Sequence, residues 1–489
     1  MSAPIRSQNP LDWIAVDGLS IDELTAPGRV KGSPQGIIGI VGEFQKGPLN
    51  TVTPIGSAKE FTDTFGAYGS VGYKGYKALL GKRFGGLRIV RVTNGTQAAG
   101  TLALVDAAAA VVVTLTALSK GVWGNSIQAK VTAATDEEAT HWDLTLSYSE
   151  ANSPSKVEVY KNILTKADAV SRINAKSSLV SAAAGASAIR AVNVAFTALA
   201  SGSDGTFADS DYVGSTSSVV GLRKLEANKE VNLVFCPEKS GSTINAGLLA
   251  HAVNPDITAR MVAMCGPSGN TAAQGITDVA DYRGDRGIYG WPWVYNYIPE
   301  LDANGLTAPT SWIASVFSQL GPHVDLATID SVALLAGVKG LEFDDITRST
   351  YISLADAGIA AFEYDSDYGY KLRSGLTTST DTALVMIFRR RMTDYILGAI
   401  ATRGKRYQNK INRPEERRAY TAEVRAWLEG LKTTGLIEGY LVDPDSMNTA
   451  DTIAAGEFHL LCKVKLFGSM RYIVIHGEIG EAVIIQEVA

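Results

Sequence analysis

Short apolar runs set at helical-length intervals constrain this chain more than any other feature. Gly36–Val41 reads GIIGIV, Val231–Phe235 reads VNLVF, Arg260–Met264 reads RMVAM and Gly287–Val294 reads GIYGWPWV. Runs of strand length separated by stretches long enough for helices are the pattern of an α/β sheet. Leu87–Val92 (LRIVRV) reads as a further strand, alternating apolar positions with Arg88 and Arg91. Between Gly36–Val41 and Leu87–Val92, Ser57–Phe65 reads as a helix, with Ser57 at the N-cap and Glu60 at the capping-box position. Ser331–Val338 and Ile352–Phe362 continue the series.

The texture changes at Asn94-Gly95. Residues 96–210 are rich in Ala, Ser, Thr and Val, with strand-like alternation in Trp142–Tyr148 (WDLTLSY) and Lys156–Tyr160. The expectation is a mostly-β domain, 96–225, inserted into an α/β core formed by 27–95 and 226–375. A C-terminal α+β domain is expected over 376–475. There Thr380–Thr402 reads as a helix, with Leu384, Phe388, Met392, Tyr395 and Ile396 on one face. Pro414 opens a second helix, Tyr420, Val424, Trp427, Leu428 and Leu431 repeat along it, and Gly435 closes it. Three strand-like runs follow: Glu457–Leu466, Arg471–His476 and Ala482–Val488. Residues 1–26 and 476–489 read as arms. The fold class is multidomain, mixing α/β and α+β.

Lys plus Arg number 45 and Asp plus Glu 50, so the net charge is 45 − 50 = −5 on 489 residues. That near-neutral balance argues against a general nucleic-acid binder. The three cysteines, Cys236, Cys265 and Cys462, are far apart and form no CxxC pair. MSAPIRSQNPLDW carries no apolar h-region, and Leu102–Leu118 is broken by Asp106, Thr114 and Thr116, so neither a secretory signal nor a direct membrane insertion is expected.

Catalytic templates fail in turn. HExxH, GxSxG and GxxxxGK[ST] do not occur. Gly36-x-x-Gly39-x-x-Gly42 interrupts a strand rather than opening a helix, which reads as close backbone packing. Asp365-x-Asp367 and Asp443-x-Asp445 sit in turn-rich stretches, as does Arg283-Gly284-Asp285. His141, His251, His323, His459 and His476 have no partner at ligand spacing. No enzyme, cofactor or metal is expected from this inventory.

Two features remain. Arg403, Lys405, Arg406, Lys410 and Arg413 fall in RGKRYQNKINR, with no acid among them. They read either as a solvated loop or as an electropositive contact for an acidic surface. The second feature is at the ends. Ala482–Val488 is proline-free and rich in Ile and Val, and two glycines, Gly477 and Gly480, precede it. Such a strand pairs within its own subunit or is donated to another, and spacing does not choose between them.

The segment GIIGIVGEFQKGPLNTVTPIGSAKEFTDTFG (Gly36–Gly66) resembles the N-terminal pattern of contractile bacteriophage tail sheath proteins. Asn94-Gly95 with Ala98-Ala99, and Gly121-Val122-Trp123-Gly124-Asn125, are similar to that family's next elements. So is the C-terminal order: a long helix, a Pro-started helix, Leu428–Gly435 (LEGLKTTG), Asn448-Thr449 before Asp451 and Gly456, then closing strands. The order is more specific than any single motif. Residues from about 130 to 230 match no pattern, as a variable outer insertion would, and Pro27-Gly28-Arg29 comes late, lengthening the arm.

The resemblance implies a structural subunit that polymerises in stacked rings around a tail tube and contracts to drive the tube through a cell envelope. It implies as partners neighbouring sheath subunits, the tail tube protein, and the baseplate and tail terminator proteins. It places the chain in the virion tail sheath, assembled in the host cytoplasm. On this reading Trp13, Ile14 and Val16 at one end, and Ile473, Ile475, Val483, Ile484, Ile485 and Val488 at the other, lie in strands exchanged between subunits, and Arg403, Lys405, Arg406, Lys410 and Arg413 face the tube. The alternatives are an unrecognised α/β enzyme and another self-assembling shell or surface-layer protein.

Overall fold

In the computed structural model, residues 36–66, 71–79, 86–149, 155–254, 260–298 and 302–470 are described. The described residues open with β1 (Ile37–Gly42), β2 (Val52–Ile55), α1 (Ala58–Phe65), α2 (Val71–Lys77) and β3 (Gly86–Arg91). Every residue of β1 is buried. The Ser57 hydroxyl accepts the Glu60 N–H at 3.2 Å, and the Glu60 carboxylate accepts the Gly56 N–H at 2.8 Å, one residue upstream of the usual capping-box partner.

After β3 the chain builds β4 (Thr101–Val105), β5 (Val111–Ala117), β6 (Ile127–Ala133), β7 (Trp142–Tyr148), β8 (Lys156–Ile163), α3 (Lys166–Lys176), β9 (Val180–Ala184) and β10 (Val194–Ala198). They form a three-stranded sheet, β4-β5-β9, and a four-stranded sheet, β10-β6-β7-β8. Leu115, Trp142, Leu146, Ile173 and Val180 share a hydrophobic cluster of their own. α4 (Asp209–Val213) and the turn of 3-10 helix at Gly221–Leu225 bury Tyr212, Leu222 and Leu225 in a different cluster, with Val234 and Val262. The segment before residue 225 therefore already packs with the large sheet.

β11 (Leu233–Phe235), α5 (Ser242–Ala252), β12 (Met261–Cys265), α6 (Ala272–Val279) and β13 (Gly287–Trp291) resume that sheet. β14 (Val294–Ile298), β15 (Ala303–Thr307), α7 (Pro309–Gln319), α8 (Ser331–Leu334), β16 (Val338–Leu341), α9 (Arg348–Asp356), β17 (Ile359–Asp365) and β18 (Gly369–Leu372) follow. The eight strands run β18-β17-β13-β12-β11-β1-β3-β2, the outer two antiparallel to their neighbours and the rest parallel. Ile38 and Ile40 face a cluster containing Trp312 and Phe317 of α7, while Val41 and Val234 face the opposite one. Burial on both faces explains the unbroken apolar runs. The run Gly287–Val294 is two strands: Pro292, which has no N–H for a ladder, follows β13, and Val294 begins the separate sheet β15-β14-β16.

The long C-terminal helix is α10 (Ile387–Gly404), starting seven residues after the expected Thr380. Thr377 donates to the Val385 carbonyl at 2.8 Å and Leu376 pairs with Met386, so Thr380–Leu384 is held in a returning turn and Leu384 lies off the helix. The chain divides into two compact units between Gly398 and Ala399, inside α10, and Leu376, Met386 and Phe388 cluster within the larger unit. The smaller unit continues through α11 (Pro414–Thr433), β19 (Gly439–Asp443), α12 (Ala450–Ala454) and β20 (Leu461–Lys465). Gly435, at φ +72°, closes α11: its N–H reaches the Lys432 carbonyl and that of Leu436 reaches Leu431, both at 2.9 Å.

Candidate assembly surface

In an open α/β sheet, ligands bind beyond the strand ends where the strand order reverses. Here that point lies between β1 and β11, and the protein's own groups fill it. Lys239 Nζ meets Glu43 at 3.1 Å and covers the Tyr212 ring at 4.8 Å, and the Tyr212 hydroxyl donates to Glu43. Burial, then the Glu43 carboxylate, push the Tyr212 phenol upward. α2 packs over the same point, close enough that a Cβ on Gly75 would meet Pro237 at 2.5 Å. Gly39 is equally confined, its absent Cβ 2.9 Å from Val234. Asp365 accepts from the Asp367 N–H and pairs with Lys371, Asp443 accepts from Asp445 and Ser446, and Asp285 pairs with Arg390. Among the described residues no group of three or more His, Cys, Asp or Glu could hold a metal ion, and no helix is long and apolar enough to cross a membrane.

The smaller unit presents a different kind of site. α11 buries Tyr420, Val424, Leu428 and Leu431, with Ile437 and Val442 also buried. α11 packs on β19, and Arg425 donates to the Val442 carbonyl at 2.8 Å. β19 pairs antiparallel with β20, Leu441 opposite Lys463 and Gly439 opposite Lys465. Leu441, Lys463 and Lys465 are exposed. Among the described residues this sheet has only two strands. A two-stranded ribbon leaves backbone donors and acceptors along its edges for a further strand. β19 was not anticipated from sequence; its signal is the short apolar GYLVD after Ile437.

The basic stretch spans the end of α10 and the start of α11, and its five charges are not equivalent. Arg403 is buried and paired with Glu423. The Tyr407 hydroxyl donates to the same carboxylate at 2.8 Å, and its ring lies 5.1 Å from that of Tyr420. The Arg403 bond holds Glu423 below the usual carboxylate range, and burial, then Glu423, push Tyr407 up to about 12. Lys410 pairs with Glu416 at 2.8 Å and covers the Tyr407 ring. Lys405, Arg406 and Arg413 are exposed and have no ion pair among the described residues. The uniform basic cluster read from sequence is thus reduced to three presented charges, because Glu423 and Glu416 on α11 neutralise the others. Trp13, Ile14, Val16, Ile473, Ile475, Val483, Ile484, Ile485 and Val488 lie outside the described residues.

Residues 379–480, which include this helix pair and hairpin, match the family model of the phage tail sheath C-terminal domain. The sheath fold extends over nearly the whole length. A sheath tail protein from Desulfitobacterium hafniense superposes with a TM-score of 0.64 at 15% identity, covering 92% of this chain and 100% of that one. A sheath tail protein from Listeria innocua gives 0.59 at 15% identity, covering 90% and 96%. The helical sheath of the anti-feeding prophage in its contracted state gives 0.56 at 13% identity, covering 95% and 99%. No curated protein matches by sequence. The C-terminal match is thus to a sheath domain, and the fold over nearly the whole chain is shared with the sheath tail proteins.

Proposed function

We propose that this chain is a tail sheath subunit, that it polymerises with copies of itself around a tail tube, and that the polymer contracts to drive the tube through a cell envelope. The observation that carries the reading is the two-stranded β19–β20 sheet, unextended among the described residues, inside the matched sheath domain. Terminal runs of neighbouring subunits supply its further strands: Trp13, Ile14 and Val16 from one end, and Ile473, Ile475, Val483, Ile484, Ile485 and Val488 from the other. Roughly four backbone hydrogen bonds per added strand, at about 1 kcal/mol each, give a contact that is weak singly and strong when repeated. Lys405, Arg406 and Arg413 face the tube. Exposed charge pairs worth about 0–1 kcal/mol each can hold register and still break during contraction. Baseplate and tail terminator proteins close the ends, and assembly takes place in the host cytoplasm.

Electron microscopy of the purified protein tests the reading. Helical sheaths or short tubes are expected. Monomers at high concentration, or flat lattices, would overturn it, the latter in favour of a surface-layer protein. Deleting Gly480–Ala489 is expected to leave a folded subunit that forms no tubes; normal tubes from that variant would remove the terminal strand from the mechanism.

A further inference from the structure

Among the described residues, the contacts between the inserted β domain and the core gather around one buried residue. Arg91, the last residue of β3, is 2% exposed. Its guanidinium donates to the Gly47 carbonyl at 3.1 Å on the core side and to the Lys120 carbonyl at 2.8 Å on the insertion side. It faces Asp204, on the chain's way back to the core, at 3.8 Å, and Asp204 in turn accepts the Val122 N–H at 3.0 Å. The Gly47 N–H donates to Ser119 at 3.1 Å, and Lys46 Nζ sits 5.6 Å above the Trp123 ring. These bonds between core and insertion gather around the loops Gln45–Gly47 and Ser119–Trp123.

An open cleft continues from these contacts, with Lys46, Gly47, Ser119 and Trp123 lining its bonded end. The cleft, of about 440 Å3, separates Pro48, Leu49, Asp63 and Thr64 on the core from Leu118, Lys120 and Ser178 on the insertion. Its walls are complementary. Leu118 is 52% exposed and Pro48 is exposed, so each side carries apolar surface that closure would remove from water. Asp63 is exposed on one wall and Lys120 on the other. Asp63 is already paired with Lys59 at 2.6 Å, and that bond, with weaker fields from Lys46 of the core and Lys156 of the insertion, holds its carboxyl below the usual range, so closure exchanges one lysine partner for another.

We propose that the insertion rocks about Arg91 as a pivot, closing this cleft so that Leu118 packs on Pro48 and Leu49 while Asp63 pairs with the insertion's lysines. Arg91 suits a pivot because it is buried at the chain crossing and bonds carbonyl oxygens of both bodies, so motion about it keeps them joined. The guanidinium remains charged at neutral pH although burial lowers it to about 10. The outer domain is then a hinged element with two positions, set by a motion within one subunit and independent of polymerisation.

Spin labels at Thr64→Cys and Ser178→Cys, on opposite walls, report the motion by pulsed electron resonance on the monomer. Cys236 and Cys265 are buried, and Cys462→Ser removes the remaining accessible thiol. Two distance populations are expected. The shorter one falls roughly twofold or more in 1 M salt, where the Debye length is about 3 Å, and is lost in Asp63→Lys. Arg91→Gln broadens both; should it fail to fold, Asp204→Asn, which leaves the carbonyl bonds, serves in its place with a smaller broadening. A single narrow distance, unchanged by salt and by Asp63→Lys, overturns the proposal and makes the insertion a rigid extension of the core.

Discussion

Glu423 decides how much positive charge the basic stretch presents, and its replacement by glutamine is open to a direct measurement. Glu423→Gln keeps the shape and removes the charge. Arg403, 8% exposed, then faces an amide, and the Tyr407 hydroxyl loses its charged acceptor. Breaking a fully buried ion pair at one partner costs about 3–5 kcal/mol. Glu423 keeps 27% of its side chain exposed, so water replaces part of what is lost. The expected cost is about 1–3 kcal/mol. Tyr407→Phe removes only the 2.8 Å bond and is expected to cost about 0.5–1.5 kcal/mol.

Hydrogen exchange of the amides in α11 reads this locally. At pH 7, exchange in Glu423→Gln is expected to be about 5- to 150-fold faster than in the parent, the factor that 1–3 kcal/mol represents. The pH dependence has a definite sign. The Arg403 bond depresses the folded carboxyl of Glu423 below its unfolded value of about 4.3. Its contribution is therefore complete above that value and lost as pH falls through the lower, folded one. Corrected for intrinsic rates, the parent's protection should approach that of the variant in acid. Equal exchange of parent and variant at pH 7 would refute the reasoning and return Arg403 to the pool of presented charges.

Three further outcomes follow from the same geometry. Gly39→Val places methyl groups where Val234, Leu225 and Val231 leave 2.9–3.1 Å even for a Cβ, so a loss of about 1–3 kcal/mol in urea unfolding is expected, and an unchanged midpoint would contradict the packing. Lys405→Glu with Arg406→Glu is expected to weaken tube-dependent assembly, most clearly at low salt, while sheath-to-sheath polymerisation continues; unchanged assembly at every salt would make the stretch a solvated loop. Ile484→Pro is expected to abolish tube formation seen by electron microscopy, and Ile484→Val to preserve it, because the first removes a backbone donor and the second only a methylene.

The residues that were legible in the sequence are those whose burial is local in its cause. Ile37–Gly42 and Met261–Cys265 stand in the middle of a parallel sheet with a cluster on each face, so they show as unbroken apolar runs. Ser57, Pro414 and Gly435 act within a turn of their own helices and could be placed by spacing. What spacing missed depends on distant partners. The hairpin return of Leu376 onto Met386 overrides a helical period at Thr380–Leu384. Tyr212, Leu222 and Leu225 lie in a Ser- and Gly-rich stretch whose texture continues that of the insertion, yet they pack against strands brought up later in the chain. β19 is short and becomes a strand because β20 pairs with it. The partner of Arg403 is on the next helix, where no run of basic residues could reveal it.

That same distinction bears on how this fold tolerates so much change in sequence. At 15% identity the sheath tail proteins of Desulfitobacterium hafniense and Listeria innocua share this chain's architecture over 92% and 90% of its length. An assembly contact made of side-chain pockets has to preserve particular residues on two surfaces. A contact made by adding strands to a sheet asks for less: backbone donors and acceptors, no proline, and alternation that keeps one face apolar. Leu441, Lys463 and Lys465 leave the exposed face of the β19–β20 hairpin free of any specific pocket, while Val442 and α11 hold its other face in place. The rigid part of the site is thus the support, and the proposed contact is backbone. Under strand exchange, selection acts on the support and on register. Side chains of the donated strand can drift among β-branched residues without dismantling the lattice.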